Sequence, residues 1–561
     1  MQPTTSYSEG DPAAPILLLG EAPSFEEIRN QRPFCGPSGS LLDLCLHSAK
    51  ISRAETYILN VFDQQIKKSD DQTSKILSAS GDLLWTSKGF TEAGLAASAG
   101  CRERIRCSGA NVIVPLGGVA LSLALDPRPV TKHRGSIYVN ADGRKIVPTI
   151  HPAFILRGAY ENRYLLISDL TKAKAESASP VFTPTARNLI VDPTYDQCIE
   201  FLRWCLTADV VDTDIEILRG QVDCFSLATS PTEAISIPLI DAGFEHRWSA
   251  AEEAEIWTLY AKLLQSPRIA KVNQNITFDL AALLELNNIV PCGPLHDPMI
   301  AHSIIYPALE KKLGVLCSLY TREPYYKDDG QLTDSPKVED FQRRWLYNAK
   351  DAAIALECWQ HLAPIIADEG YQTTYDMTVN LIPSLVYMMV HGIKVDLDAL
   401  ATTREKATAE LTQIVARLEE ATGRRVITAA PKKAAEKRAA EGALNVNSPA
   451  QLIAYFYKEK ALKPYVNAIG TPTIDDKALT RIARRDGLIE AKLLQDYRRL
   501  AKMIGTYLNM QFDVDGRMRC SFNPRGTWTG RLSSSQTIHS NGGNLQNLPD
   551  DFTGFLVSDH G

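Results

Sequence analysis

Four carboxylates and a tyrosine recur along the middle of the chain at spacings that could do metal-dependent chemistry. Asp214 and Glu216 stand two residues apart in VVDTDIEI. On a strand, the period of two points both side chains to one face. Two carboxylates on one face of an otherwise apolar strand repel each other, and a buried pair needs a cation to offset that. An isolated pair of this kind ordinarily reads as a solvated acidic edge. Here it has company. VNQNITFDL places Asn275 and Asp279 one helical turn apart, and LYNAKDAAIA places Tyr347 and Asp351 at the same i, i+4 spacing. That spacing puts each pair on one helix face. Three such pairs in this order argue for a single site.

The elements that must position these groups fall into blocks. At 561 residues the chain is long enough for three or four domains. Hydrophobic residues make up 45% and charged residues 22%, ordinary values for a globular protein. No apolar run approaches the roughly 18 residues of a membrane span. The polar start, MQPTTSYSEGD, lacks the basic and apolar regions of a secretory signal. The eleven cysteines include no CxxC pair, which argues against a zinc ribbon or disulfide framework and fits a reducing cytoplasm. A net charge of −6 excludes a uniformly basic, histone-like protein but is compatible with a local basic groove.

Residues 1–170 alternate short apolar runs (ILLLG, TYILNVF, NVIVPLG, KIVPTI) with helical segments, which predicts an α/β domain on a largely parallel sheet. Residues 171–188, rich in Ala, Ser, Thr and Pro, read as a linker. Residues 189–365 predict a second α/β domain, strands first (ADVVDTDIEI, CFSLATS, AISIPLI) and helices after. Residues 366–561 are mostly helical, with Leu411, Ile414, Val415 and Leu418 at amphipathic spacing. Within them GRRVITAAPKKAAEKRAAEG is basic and broken by proline, either a solvated tip or a phosphate-contacting surface.

From Leu189 to Trp359 the three acidic motifs, with LHDPMIAHSIIYP between the last two, resemble the DEDD-type exonucleases with the tyrosine variant, which have an RNase H-like fold. The resemblance implies that Asp214, Glu216, Asp279 and Asp351 ligate two Mg²⁺ or Mn²⁺ ions, and all-oxygen sites suit such hard cations. It implies that Tyr347 orients the attacking water and that Asn275 contacts substrate or supports the site. The expected reaction is removal of nucleotides from single-stranded or frayed 3′ ends.

The last block resembles the family A DNA polymerases. LIPSLVYMMVHGIKVD, LNVNSPAQL, TPTIDDKAL and LLQDYRRLAKMIGTYL match its thumb in order. Thr529, Gly530, Arg531, Leu532 and Ser533 match the family's TGRLSS element. Asn544, Leu545, Gln546, Asn547 and Pro549 match its NLQNIP element, with Leu548 substituted. Thr529, Arg531, Asn544, Gln546 and Asn547 would contact primer-template DNA through phosphates and the nearly degenerate minor-groove acceptors. Asp559, after strand-like FLVS, stands where the first polymerase carboxylate and metal ligand belongs, although DHG departs from the usual DYSQ. The fingers and the second carboxylate motif do not appear in this sequence. The expectation is therefore the thumb and the start of the palm of a polymerase, split or truncated, that polymerises only with a C-terminal partner supplying fingers and the rest of the palm. A processivity factor is a further candidate partner.

GEAPSFEEIRNQRPFCGPSGSLLD, YILNVF, VIVPLGGVA and PTIHPAFILR resemble the uracil-DNA glycosylase superfamily. By that resemblance Phe34 stacks on a flipped base, Asn60 reads its edge, Glu21 positions or activates water, and His151 stabilises the departing base. Ser24 replaces the usual glycine after GEAP. No cysteine precedes Cys35, and only Cys101 resembles a ligand of the iron–sulfur cluster found in part of that superfamily, so no cluster is expected. The combination resembles bacteriophage polymerases that carry a glycosylase-like domain, working in the cytoplasm of a bacterial host. The alternatives are a repair enzyme centred on uracil excision and a non-catalytic DNA-binding scaffold.

Overall fold

The computed structural model describes residues 7–68, 75–332, 336–428, 441–467, 470–537, 539 and 542–559, and every count below is of these residues. The basic stretch 429–440 lies outside them. The fold class is multidomain α/β. The chain divides into two compact units, Met1–Val386 with Asn523–Leu532, and Tyr387–Phe522 with Ser533–Gly561.

The first unit begins with a five-stranded sheet. Strands β1 (Ile16–Gly20), β2 (Thr56–Asn60) and β3 (Val112–Pro115) lie parallel, β1 in the middle. A hairpin of β4 (Tyr138–Val139) and β5 (Lys145–Ile146) completes the order β2-β1-β3-β5-β4. Ile16 and Leu18 face one apolar layer while Leu17 and Leu19 face another. Burial on both faces explains the unbroken apolar run of β1, as parallel sheets require. The first layer includes the helices α1 (Pro37–Ser48) and α3 (Arg163–Ser177), with the short α2 (Pro152–Ile155) between them in sequence.

A six-stranded sheet follows, formed by β6 (Asn188–Ile190), β7 (Val210–Leu218), β8 (Gln221–Ser230), β9 (Glu233–Pro238), β10 (Ala270–Val272) and β11 (Leu295–His296). Its order is β6-β9-β8-β7-β10-β11. The meander β7-β8-β9 is antiparallel, whereas β10 runs parallel to β7 and β11 parallel to β10. Helix α4 (Ile276–Asn287) follows β10, and α5 (Leu313–Tyr320) comes after β11. The long α6 (Val338–Asp368) lies across β7, β8 and β9. Its alanines Ala352 and Ala353 pack with Ala228, Ala234 and Val272, so small residues let helix and sheet approach closely.

In the second unit β12 (Ile393–Val395) pairs antiparallel with both β13 (Arg517–Met518) and β14 (Leu556–Val557). Helix α7 (Leu397–Thr422) packs on α8 (Ile489–Lys502). Ile414 and Leu418 are buried and Leu411 and Val415 half-buried against the same core, as their spacing predicts. No described helix is long and apolar enough to cross a membrane.

Candidate functional site

Strand β7 carries Asp212, Asp214 and Glu216 at alternate positions. A register shift against β8 falls immediately after Glu216, and a bulge of this kind re-aims side chains where it occurs. Helix α6 supplies the facing wall. Arg344, Tyr347, Asn348 and Asp351 recur there at helical spacing and turn toward β7. One oxygen each of Asp214, Glu216 and Asp351 lies within 4.8 Å of the others. Among the described residues no other group of three or more His, Cys, Asp or Glu comes together this way.

Each carboxylate has a holder. Asn348 Nδ2 donates to Asp214 Oδ2 at 2.9 Å, and its own Oδ1 accepts from Ser236 at 2.9 Å. Arg344 reaches Glu216 Oε2 at 3.1 Å while forking onto the fully buried Asp223 at 2.8 and 2.9 Å. Asp279, on α4, accepts from the Ile215 backbone at 3.0 Å. The αL conformation of Asn275, φ 66°, turns the chain into α4. Buried Asp297 fixes that turn, accepting from Asn275 N and Ile276 N at 3.1 Å each.

Acids outnumber cations at the site, where Arg344 meets Glu216 and Lys327 meets Asp351. Burial first, and then Asp279, Asp351 and Glu216, raise Asp214 well above the usual carboxylate range. Burial pushes Glu216 and Asp279 up to about 7. Asp212 is fully buried beneath them, with both oxygens lacking a hydrogen-bond partner, and is also raised by burial and neighbouring acids. The donors are all oxygen, as a hard divalent cation requires, and Arg344 and Lys327 offset only part of their charge. Tyr347 is kept protonated by burial and by Asp351. Lys327 approaches from the loop after α5. Its Nζ bonds Asp351 Oδ2 and lies 4.1 Å from the centre of the Tyr347 ring, while Tyr326 donates to Asp351 Oδ1 at 2.6 Å.

Gly330 closes over Tyr347. A Cβ there would stand 2.6 Å from two atoms of the ring, at its rigid end. Gly330→Ala is expected to displace the phenol, to slow any reaction that uses it about tenfold and to cost about 1–3 kcal/mol of stability. Steady-state trimming rates alongside a thermal melt check this.

A second pocket, about 430 Å³, opens at the end of β2 in the five-stranded sheet, lined among others by Phe34, Asn60, His151 and Glu27. Glu27 accepts from Phe34 N and Ser24 N, holding Phe34 at φ 49°. Ser24 also caps the helix Phe25–Asn30 in a reciprocal box with Glu27, so its hydroxyl has a structural task. Gly20 leaves room for both pocket walls: a Cβ there would meet Asn60 Oδ1 at 2.2 Å and the Phe34 ring at 2.7 Å. His151 Nδ1 accepts from Ala153 N at 3.1 Å. Burial lowers its pKa, which favours the neutral ring, and an accepting Nδ1 leaves the proton of that ring on Nε2. Glu21 pairs with Lys68 at 3.1 Å and is not among the residues lining this pocket.

The matches with known families follow this geometry. The uracil DNA glycosylase superfamily model matches residues 7–172, the 3′-5′ exonuclease model 237–367 and the DNA polymerase family A model 412–555. The type-4 uracil-DNA glycosylase of Thermotoga maritima is 32% identical over 170 residues, 30% of this chain and 80% of that protein. Through this region the chain belongs to the uracil DNA glycosylase superfamily. Behind that domain it carries a 3′-5′ exonuclease domain and a family A DNA polymerase region. The DNA polymerase of Bacillus phage SP01 is 21% identical across 95% of this chain, which spans 63% of the phage protein's length. A solved structure, the POL domain of Pol1 from M. smegmatis in complex with DNA primer-template and dNTP, aligns at a TM-score of 0.49 and 19% identity. That alignment covers 65% of this chain and 56% of the other.

The exonuclease match includes Asp279, Tyr347 and Asp351 and begins after β7. Asp214 and Glu216 therefore rest on their position beside Asp351. Sequence reasoning missed Arg344 and Asn348, although 344, 348 and 351 share one helix face. It also missed Tyr326 and Lys327, which reach the site from a loop with no periodicity to betray them.

The polymerase motifs fall in both units. Thr529 and Arg531 are exposed on the turn that Gly530 N closes onto Thr527 O at 3.0 Å. In the second unit Asn544, Gln546 and Asn547 are exposed around the 3₁₀ turn Leu545–Asn547, which Asn544 caps by accepting from Gln546 N at 3.1 Å. Asp559, just past β14, accepts from His391 Nε2 at 2.9 Å and from Arg517. Those two partners lower its pKa to about 2.

Proposed function

We propose that the chain is the editing part of a family A DNA polymerase, removing nucleotides from 3′ ends at the β7–α6 site. The observation that carries this reading is the convergence of Asp214, Glu216 and Asp351 beside the protonated phenol of Tyr347. Asp214, Glu216, Asp279 and Asp351 would hold two Mg²⁺ or Mn²⁺ ions, which when bound lower the pKa of water and offset charge on the phosphate. The protein's own share is positioning. Asn348 and Arg344 fix two of the carboxylates, Tyr347 donates to the attacking water, and Asn275 shapes the entrance to α4. The test is Mg²⁺-dependent shortening of a 5′-labelled oligonucleotide, lost in the Asp214→Ala/Glu216→Ala protein.

In the same reading Thr529, Arg531, Asn544, Gln546 and Asn547 hold primer-template DNA, and Asp559 is the first polymerase carboxylate. Primer extension needs a second carboxylate and a nucleotide clamp. A separate C-terminal partner supplying them, and action in a bacterial host's cytoplasm, belong to the same proposal.

One observation favours a second activity. The tautomer of His151 presents an Nε2 donor to the pocket, where it would stabilise negative charge on a departing pyrimidine oxygen, with Phe34 stacking and Asn60 reading the base edge. Uracil excision from a single-stranded oligonucleotide is expected, reduced about 10²-fold or more in His151→Ala, since oxyanion-type donors are worth that much. Equal cleavage by wild type and variant removes this reading.

A further inference from the structure

A groove of about 900 Å³ lies beside the exonuclease carboxylates in the first unit. Two of its lining residues lead straight to the site: Lys327 bonds Asp351, and Asn275 begins the helix that carries Asp279. Five lining side chains are Lys or Arg against a single glutamate, in a chain whose net charge is −6. Aromatic faces interrupt the charge. Trp528 is 73% exposed, and Tyr325, in the loop after α5, also lines the groove. A cationic track with aromatic platforms suits single-stranded nucleic acid, whose phosphates follow the charge and whose bases stack. By contrast, the larger cavity in the second unit, about 1310 Å³, mixes Glu410, Asp475, Asp476, Asp496 and Asp551 with its cations.

Part of this groove comes from the glycosylase-superfamily domain. Thr131 and Lys132 line it directly. Lys132 also pairs with Asp328 at 2.9 Å, and His133 meets the Tyr325 ring edge-on at 5.0 Å. Tyr325 N donates to Ser136 Oγ at 3.1 Å. Lower down, Lys172 donates to the carbonyls of Thr321 and Gly135 at 2.7 Å and also to Ser318 O, tying the end of α5 to α3. The glycosylase-superfamily domain thus grips Ser318, Thr321, Tyr325 and Asp328, which bracket the two residues that touch Asp351.

We propose that this groove guides a single-stranded 3′ end to the exonuclease carboxylates, and that the glycosylase-superfamily domain forms one wall of it through Lys132 and the loop it grips. The proposal rests on the exonuclease reading for the destination of the strand. It gives that domain a task in the nuclease reaction independent of base excision. Lys312, 81% exposed, and Trp528 form further parts of the track.

The experiment uses the full chain in EDTA, with fluorescein-labelled oligo(dT) read by anisotropy. Trp528→Ala is expected to weaken binding roughly tenfold. Lys132→Ala and Lys312→Ala should each weaken it and lower the slope of log K against log salt by about 0.7. A 4-thiothymidine a few nucleotides from the 3′ end should crosslink to peptides of residues 307–315 or 523–528. Unchanged affinity and slope in folded Lys132→Ala overturn the glycosylase-domain wall, and crosslinks confined to 387–522 overturn the groove. In a separate arm, persistent Mg²⁺-dependent trimming by Asp214→Ala/Glu216→Ala would remove the exonuclease reading, while the metal-free binding and crosslinking still judge the groove.

Discussion

Replacing Asp214 and Glu216 together by alanine is expected to slow Mg²⁺-dependent trimming by about 10³-fold or more, roughly 4 kcal/mol of lost transition-state stabilisation. The same substitution should raise, not lower, the melting temperature of the metal-free protein at pH 8. Burial raises both acids, Glu216 to about 7, so from about pH 4 up through the raised values the folded state binds more protons than the unfolded one. Stability contributed by the protonated forms is therefore lost as pH rises through that window. Alanine removes the liability. A protein that is inactive yet more heat-resistant in EDTA separates loss of chemistry from loss of fold. The wild-type trimming rate should rise with pH through about 7, where Glu216 and Asp279 give up their protons. More Mg²⁺ should move that midpoint lower, because cation and proton compete for the same oxygens. A rate that is independent of pH between 6 and 8 even at limiting Mg²⁺, or equal trimming by the double variant, would remove this site from the reaction.

The parts of the site legible in sequence were those governed by a repeat. Period two placed Asp214 and Glu216 on one face of β7, and the i, i+4 rule placed Tyr347 with Asp351 on α6. The parallel sheet of the first domain was legible because strands buried on both faces read as unbroken apolar runs, as in Ile16–Gly20. What stayed hidden depends on contacts between distant segments. Asp297 caps a helix that begins 21 residues earlier. Tyr326 and Lys327 reach Asp351 from a loop, and nothing in EPYYKDDG distinguishes them from ordinary surface residues. Glu21 shows the converse limit. Its GEAP run is intact as far as Ser24, but the pairing of its carboxylate with Lys68 could not be read there, because a motif fixes residue order and leaves side-chain partners to the surrounding fold.

Arg344→Ala is expected to cost the first unit about 3–5 kcal/mol, the usual penalty for leaving one partner of a buried ion pair alone. Asp223 has no exposed surface, and both of its oxygens are matched by the guanidinium fork. The planar fork is what serves two carboxylates at once, so Arg344→Lys should recover only part of the loss. Removing both charges, as in Arg344→Met/Asp223→Val, should restore much of the stability, because apolar packing can replace a buried pair at little net cost. It should not restore trimming. Glu216 would still lack the contact at 3.1 Å that holds its Oε2, and loss of such a support typically weakens metal binding about 10–100-fold. The first transition in thermal or urea unfolding reads the stability of the unit, and Mn²⁺ titration calorimetry reads the site. If the double variant regains both stability and Mn²⁺ affinity, Arg344 serves only Asp223. If stability returns without affinity, one arginine links the packing of α6 on β8 to the geometry of the carboxylates on β7.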